Sequence, residues 1–407
     1  MLNLISKKKT YSVFDIGVDK VACLSFRIEN DKPTIIGMNH QKSYGFEKNK
    51  LVDKNKLSST ILKTLKRSLP RGVKYKNNLF FSNITDINAL TRKNYTDSDL
   101  GKLGITKKDI RKIFKKCILE SKIKGKFLIH SYPINFRIND KKLVHNPIGE
   151  KCERFGISSF NMMVDSLLYE QLKECFEKKK IEIKNFFDTG IASSVACLSE
   201  NEKKDGVASI DIGSSSSKVT VYLNNKIVYS DNIPLGGSNV TNDIAKGLNI
   251  SKESAEHAKI INGTLYPPFN EKMEINTDQN KKKMISRNLL YGILKPRYEE
   301  ILEIIRDNIF DNIYARISIK SIVITGGASK IIGLTNLSES IFNRSTRIGM
   351  VYKRDSYFYN KPEFSTLLGM LRLARDYKRF EFSNELMKGN IFNVFDKLEN
   401  WIEESYA

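Results

Sequence analysis

Two stretches of the chain carry residue types that suit phosphate chemistry at matching spacing. Asp15-Ile16-Gly17-Val18-Asp19-Lys20 and Asp211-Ile212-Gly213-Ser214-Ser215-Ser216-Ser217 each open with an aspartate, an isoleucine and a glycine. Glycine removes the Cβ that would keep the backbone at a distance, so successive N–H groups can turn toward an oxyanion, and the serine hydroxyls of the second stretch add donors. An aspartate cannot hold the phosphate itself, because like charges repel. It can hold a magnesium ion that bridges the phosphates through water.

These loops need strands to present them. Tyr11-Ser12-Val13-Phe14 predicts a short buried strand before the first loop, with a second apolar run from Val21 to Ile28 after it. Gly206 to Ile210 repeats the plan before the second loop, and Lys218-Val219-Thr220-Val221-Tyr222-Leu223 follows with period-two alternation. Asn224-Asn225 then predicts a hairpin turn into Lys226-Ile227-Val228-Tyr229. The recurrence is an internal duplication. A third segment, Ile322 to Ser329, runs a β-branched strand into Gly326-Gly327-Ala328, where missing side chains would let an adenine or ribose lie on backbone at a helix start. A fourth, Ser251 to Ile261, has a serine N-cap and puts Glu256 and Lys259 on one helical face. That carboxylate is placed either to accept ribose hydroxyls or to form a solvated ion pair.

With 407 residues the chain is long enough for about two to four domains, each with a buried core. Lys and Arg number 68 against 46 Asp and Glu, a net charge of +22 that favours an anionic partner. The five cysteines include no Cys-x-x-Cys pair and the four histidines no metal-ligand spacing, so buried free thiols and no zinc site are expected. No apolar run is long enough to span a membrane, and Lys7-Lys8-Lys9 interrupts the N-terminus too early for a signal peptide. The expectation is a soluble protein able to lie against a membrane.

In this order the four segments resemble the phosphate and adenosine motifs of the actin, sugar-kinase and heat-shock-chaperone superfamily, and within it the FtsA family of bacterial cell division. Ile233-Pro234-Leu235-Gly236-Gly237, Val240 to Ala245, Pro296-Arg297 and Asn146-Pro147-Ile148-Gly149 strengthen the match, which spans nearly the whole chain. The resemblance implies an α/β, two-lobed actin-like fold, each lobe a ribonuclease-H-like mixed sheet with helices. Subdomain 1A would take 1–80 and 161–202, 1C 81–160, 2A 203–232 and 318–380, and 2B 233–317, followed by a linker and an amphipathic terminal helix in 381–407. It further implies ATP and Mg2+ held by Asp15, Gly17, Val18, Lys20, Asp211, Gly213, Ser214, Ser215, Ser216, Gly236, Gly237, Glu256, Lys259, Gly326, Gly327 and Ala328. Asp211, with Asp15, would stand nearest the metal.

The chain departs from the family pattern at both loops. Val18 replaces a hydroxyl residue, and Gly213-Ser214-Ser215-Ser216-Ser217-Lys218 replaces Gly-Gly-Thr-Thr-Asp. Lys218 either pairs with phosphate or points away on the outer face of its strand. No residue stands out as a base to activate water, so ATP is expected to act as a structural ligand with weak or no hydrolysis.

Beyond Gly389, Ile391, Val394, Phe395, Leu398, Trp401 and Ile402 fall on one helical face with Phe392 at its margin. Such a helix lies either in the membrane interface, as the tails of FtsA proteins do, or against the protein's own body. Its polar face is acidic, so upstream basic residues would supply the attraction to an anionic membrane surface. A second basic cluster includes Lys281, Lys282, Lys283, Arg287 and Arg297; in FtsA, positions matching Lys283 and Arg297 belong to the surface that takes the C-terminal tail of FtsZ. The implied function is an ATP-binding adaptor at the division site, on the cytoplasmic face of the bacterial inner membrane. It would tether FtsZ filaments, self-associate and recruit later division proteins. A PilM-like pilus platform protein or a kinase of the same superfamily is the alternative. Nucleic acid is not an expected partner, since the sequence shows no helix-turn-helix, zinc-finger or aromatic-basic strand.

Overall fold

The computed structural model describes residues 9–376 except 31, 48, 74, 76, 77, 141, 145, 270, 278–281, 351–356 and 359. Lys281 and the terminal face of Ile391, Phe392, Phe395, Leu398, Trp401 and Ile402 lie outside the described residues. The chain divides into two compact units: residues up to 192 with 225–228 and 369 onward, and 193–224 with 229–368.

In chain order the elements begin with β1 (Thr10–Ile16), β2 (Lys20–Glu29), β3 (Lys32–Lys42), β4 (Phe46–Glu47), β5 (Lys50–Leu51), α1 (Lys54–Ser68), β6 (Leu79–Ile84) and β7 (Leu90–Asp99). Next come α2 (Lys107–Ser121), β8 (Lys126–Ile138), β9 (Lys142–Val144), β10 (Arg154–Asp165), α3 (Ser166–Glu177), β11 (Ile183–Asp188), α4 (Thr189–Cys197) and α5 (Glu200–Asp205). They continue with β12 (Val207–Ile212), β13 (Ser217–Leu223), β14 (Lys226–Ile233), α6 (Gly237–Leu248), α7 (Lys252–Asn262), β15 (Lys272–Asn276) and β16 (Lys282–Ser286). The last are α8 (Arg287–Asp311), α9 (Ile313–Ser318), β17 (Ser321–Thr325), α10 (Leu334–Phe342), β18 (Ser345–Ile348) and α11 (Ser365–Arg375).

Each unit carries a five-stranded sheet on the same plan. The orders are β11-β6-β1-β2-β3 and β18-β17-β12-β13-β14, with β1 parallel to β6 and β12 parallel to β17. The central strands β1 and β12 are buried along nearly their full length, which is why they read as continuous apolar runs rather than alternating ones.

The strands reach further than the sequence predicts. β1 runs to Ile16 and β12 to Ile212, so Asp15 and Asp211 lie within the strands and not in the turns. The ladder explains this: Asp15 pairs with Ala22 and Asp211 with Lys218, and with the last pairs at Ile16–Val21 and Ile212–Ser217 and β2 starting at Lys20, only 17–19 and 213–216 are left to turn.

A four-stranded sheet, β7-β10-β8-β9, is inserted in the first unit. Ile110, Ile113, Phe114 and Ile118 of α2 pack with Phe136, Phe155 and Ile157 into one core beneath it. Thr106 and Asp109 form a capping box that starts α2. In the second unit α8 is 25 residues long, contains Pro296, and buries Leu294, Tyr298, Ile301 and Ile305. All five cysteines are free and buried. Among the described residues no helix is long and apolar enough to cross a membrane.

Candidate functional site

Four separated segments of the second unit meet at Gly237, the first residue of α6. Its N–H donates to Gly213 O at 2.9 Å, and Ser238 N–H donates to Ser214 O at 2.7 Å. A Cβ on Gly237 would lie 3.0 Å from Ala328 Cβ and 3.5 Å from Lys259 Nζ. The loop after β12, the start of α6, the helix α7 and the turn after β17 therefore share one spot. Gly236 is tighter still, since a Cβ there would fall 2.6 Å from Ser214 O and 2.7 Å from Gly213 O. These two glycines let backbones approach. Their N–H groups are already engaged, Gly236 with Asn239 Oδ1 at 3.0 Å, so they line the spot and do not supply amide donors to it.

The loop itself closes on Gly213 N–H, which donates to Ser216 O at 3.0 Å. Ser214 and Ser215 keep part of their surface accessible while Ser216 is buried. Asp211 is buried, accepts a hydrogen bond from Thr366 Oγ1 at 3.4 Å, and lies so close to the next turn that a Cβ on Gly326 would sit 2.3 Å from its Oδ1. Gly326 has φ +90°, the left-handed region that suits glycine. A Cβ on Gly327, by contrast, would meet only Glu363 Cβ at 3.7 Å, so the backbone there is open. The turn is a short 3-10 segment, Gly327–Lys330, and the helix expected directly after it begins only at Leu334, past Gly333 with φ +90°. Tyr298 of α8 donates to Ala328 O at 3.0 Å and anchors the turn; burial pushes its phenol pKa up.

Lys259 and Glu256 are not a solvated pair. Lys259 is buried, and its Nζ donates to Glu256 Oε2 at 2.7 Å, Thr241 Oγ1 at 2.8 Å and Gly237 O at 3.1 Å, while the Glu256 side chain remains half-exposed. Thr241 also donates to that carboxylate. Lys218 departs from the sequence reading as well. It is not on an outer face but only 2% exposed, directly across the ladder from Asp211, and it donates to Asn232 Oδ1 at 2.6 Å. Burial on β13 between two strands requires such a partner for the ammonium.

In the first unit the loop repeats the geometry, with Gly17 N–H donating to Lys20 O at 2.9 Å. Val18 and Lys20 are partly accessible. Asp15 is buried against Asn83 of β6, whose Nδ2 donates to Asp15 Oδ1 at 2.9 Å and whose Oδ1 accepts Ile16 N–H at 2.6 Å. Asn83 also reaches Thr189 Oγ1 at 3.1 Å. Sequence reasoning missed Asn83, Thr189 and Thr366, which come from distant elements and carry no motif; a polar Asn closing the apolar strand Leu79-Phe80-Phe81-Ser82 was the one available signal. Further along, His130 Nε2 accepts Asp188 N–H at 2.9 Å, and burial holds the His130 pKa down to about 3.

Of the second cluster, Lys283, Arg287 and Arg297 each meet a partner. Lys283 Nζ donates to Leu248 O at 2.7 Å, at the end of α6. Arg287 stands 3.6 Å from Glu271. Arg297 bonds Asp243 through Nε at 2.5 Å and Nη2 at 3.3 Å, and it pairs with Glu300, which together raise its pKa above the usual arginine value.

An FtsA family model, described as Cell division protein FtsA, matches residues 208–369. Cell division protein FtsA of Agrobacterium fabrum is 27% identical over 442 aligned residues, covering 100% of this chain and 97% of that protein. The protein of the same description from Bacillus subtilis is 24% identical over 91% of this chain and 84% of its own length. Among solved structures, a PilM-PilN type IV pilus biogenesis complex matches with a TM-score of 0.65 at 13% identity, over 89% of this chain and 97% of its own. MreB 5 of Spiroplasma citri bound to AMPPNP gives 0.57 at 14%, over 95% and 98%. A MamK double helical filament gives 0.53 at 10%, over 90% and 98%. Two sheet-bearing units on this plan define an actin-like fold. The similarity goes further than the fold: relatives described as Cell division protein FtsA align with the chain over its full length.

Proposed function

We propose that this chain is an ATP-dependent adaptor that links FtsZ filaments to the membrane at the division site. The convergence on Gly237 supports the nucleotide part most strongly, because it brings loop, helix start, charged pair and Gly-Gly turn together within one unit. The residues fit the ligand. Glycine backbones approach where a Cβ would clash, Ser214 and Ser215 offer accessible donors, and the Gly327 backbone is open to a flat group. In this reading Asp15, Gly17, Val18 and Lys20 from the first loop, and Asp211, Gly213, Ser214, Ser215 and Ser216 from the second, serve the phosphates and Mg2+. Glu256, Lys259, Gly326, Gly327 and Ala328 serve the nucleoside, with Gly236 and Gly237 spacing the walls. Mg2+, when bound, neutralises phosphate charge beside the carboxylates. ATP acts as a conformational ligand with weak or no turnover.

The remaining parts rest on the family. The FtsZ tail would dock on 233–317 at Lys283, Arg287 and Arg297, the four-stranded insertion would recruit later division proteins, and residues 391–402 would hold an anionic membrane surface. Self-association into filaments draws support from the MamK neighbour, which is itself filamentous. The test is vesicle co-sedimentation with Mg2+ and ATP, using the full chain and one ending at Lys388, each with and without an FtsZ C-terminal peptide. The full chain alone should pellet and carry the peptide with it. Vesicle binding unchanged by the truncation, or no peptide bound to either, would overturn the adaptor reading.

A further inference from the structure

The helix α2 belongs to the insertion proposed above to recruit later division proteins, and its charge pattern, which rests on that reading, narrows what such a partner carries. Lys108, Lys112, Lys115, Leu119 and Lys122 follow at spacings of four, three, four and three, so they form one stripe along the helix. Its length is about 20 Å at 1.5 Å rise per residue. The opposite side, with Ile110, Ile113, Phe114 and Ile118, is buried in the core of the insertion. The stripe is therefore the outward face.

On α3 and α8 some helical cations meet carboxylates. Lys173 of α3 stands between Glu170 and Glu177 at 3.7 Å each, and on α8 Lys295 meets Glu299 at 3.2 Å. On the α2 stripe no carboxylate pairs with Lys108, Lys112 or Lys115 among the described residues. The two acids of the helix are turned to its own fold: Asp109 closes the capping box, and Glu120 accepts from Thr96 while meeting Lys116 only at 3.9 Å. Leu119 is 48% exposed within the row, and Leu103, just before the helix, is 71% exposed. Like charges at these spacings repel one another, so the row costs stability unless an anion meets it.

We infer that this stripe is a docking surface for an acidic protein segment carrying an apolar residue. An extended segment of about six residues spans 20 Å at 3.3 Å per residue and would set its carboxylates against the lysines and its apolar side chain on Leu119. A lipid surface fits less well. The apolar side of α2 is already buried, and the row itself carries no aromatic side chain to enter an interface.

The experiment is fluorescence anisotropy of a labelled peptide of glutamate pairs separated by leucines, against the full chain at two salt concentrations. The K108Q/K112Q/K115Q variant should bind at least about tenfold more weakly with a flatter salt dependence. The K63Q/K66Q/R67Q variant of α1, which removes as much charge from other exposed positions, should stay within about twofold of the unaltered chain. Leu119→Ser should weaken binding by about threefold. Equal losses in the two triple variants would reduce the effect to net charge, and no loss in the first would remove the site; either result overturns the inference. Phosphatidylglycerol vesicles form the other arm, and an α2 variant that loses vesicle binding while keeping the peptide would overturn it in favour of lipid. Melting temperatures of all variants confirm that the exposed substitutions leave the fold intact.

Discussion

Asn83 and Asp15 are bound side chain to side chain at 2.9 Å, and the same asparagine accepts the N–H of Ile16 at 2.6 Å. One amide thus fixes both the carboxylate and the backbone at the mouth of the first loop. Asn83→Leu removes both bonds at a fully buried position and should destabilise the first unit by about 2 kcal/mol, the cost of orphaning buried polar groups. Urea unfolding measures it. Asn83→Asp sets a second carboxylate beside the first, and on the proposed reading should weaken binding of a fluorescent ATP analogue by about tenfold. Unchanged affinity would remove Asp15 from the site.

Gly326 and Gly327 are neighbours with opposite requirements. At Gly326 the backbone has φ +90°, and a Cβ would strike Asp211 Oδ1 and Ile212 O, so Gly326→Ala should cost about 2–3 kcal/mol in thermal or chemical unfolding. At Gly327 the added carbon meets only Glu363 Cβ at 3.7 Å, so Gly327→Ala should fold as the parent does, within about 0.5 kcal/mol. If a nucleoside lies on that backbone, the methyl group obstructs it. Calorimetry should then show ATP binding about tenfold weaker in Gly327→Ala with unaltered melting without ligand.

His130 makes stability depend on acid. Its Nε2 accepts Asp188 N–H and its ring is buried, which holds its pKa down to about 3. Below about pH 6.5 the unfolded imidazole takes a proton that the folded one refuses, so stability falls with pH from there to about 3, at about 1.4 kcal/mol per pH unit. His130→Gln should flatten that slope by about one proton between pH 6 and 4 while costing about 1–3 kcal/mol at pH 7. Unfolding free energies at a series of pH values decide it; an unchanged slope would show that His130 is not the group responsible.

The two loops were legible because their chemistry is local. Asp-Ile-Gly between apolar strands recurs, and the structure repeats even the Gly-to-carbonyl bond, 17 to 20 and 213 to 216. The common sheet plan was legible from the same duplication. Residues whose role depends on remote partners were not. Lys218 looks in sequence like an outward strand lysine, and only the ladder beside Asp211 and the nearby Asn232 make it an interior residue. Glu256 and Lys259 were found by helical spacing, yet their contacts with Thr241 and Gly237 come from a helix whose position no local pattern encodes. Asn83 and Thr366 lie 68 and 155 residues from the aspartates they touch.

Arg297 offers the sharpest test of the proposed FtsZ surface, because it is already held by carboxylates of its own chain. Asp243 accepts from two of its nitrogens and Glu300 from a third. A partner carboxylate must compete with both. Such a partly exposed cluster contributes about 1 kcal/mol or less, so Asp243→Asn combined with Glu300→Gln should change stability little. Releasing the guanidinium should strengthen binding of an FtsZ C-terminal peptide by about three- to tenfold if Arg297 receives it, and Arg297→Ala should weaken it by a similar factor. Lys283→Ala should weaken the peptide too, but with a measurable loss of stability, since Lys283 also holds Leu248 O at the end of α6. Titration of the peptide into the three variants and the unaltered chain separates these outcomes. Peptide affinity that ignores Arg297 in both directions would place the FtsZ contact elsewhere on the chain.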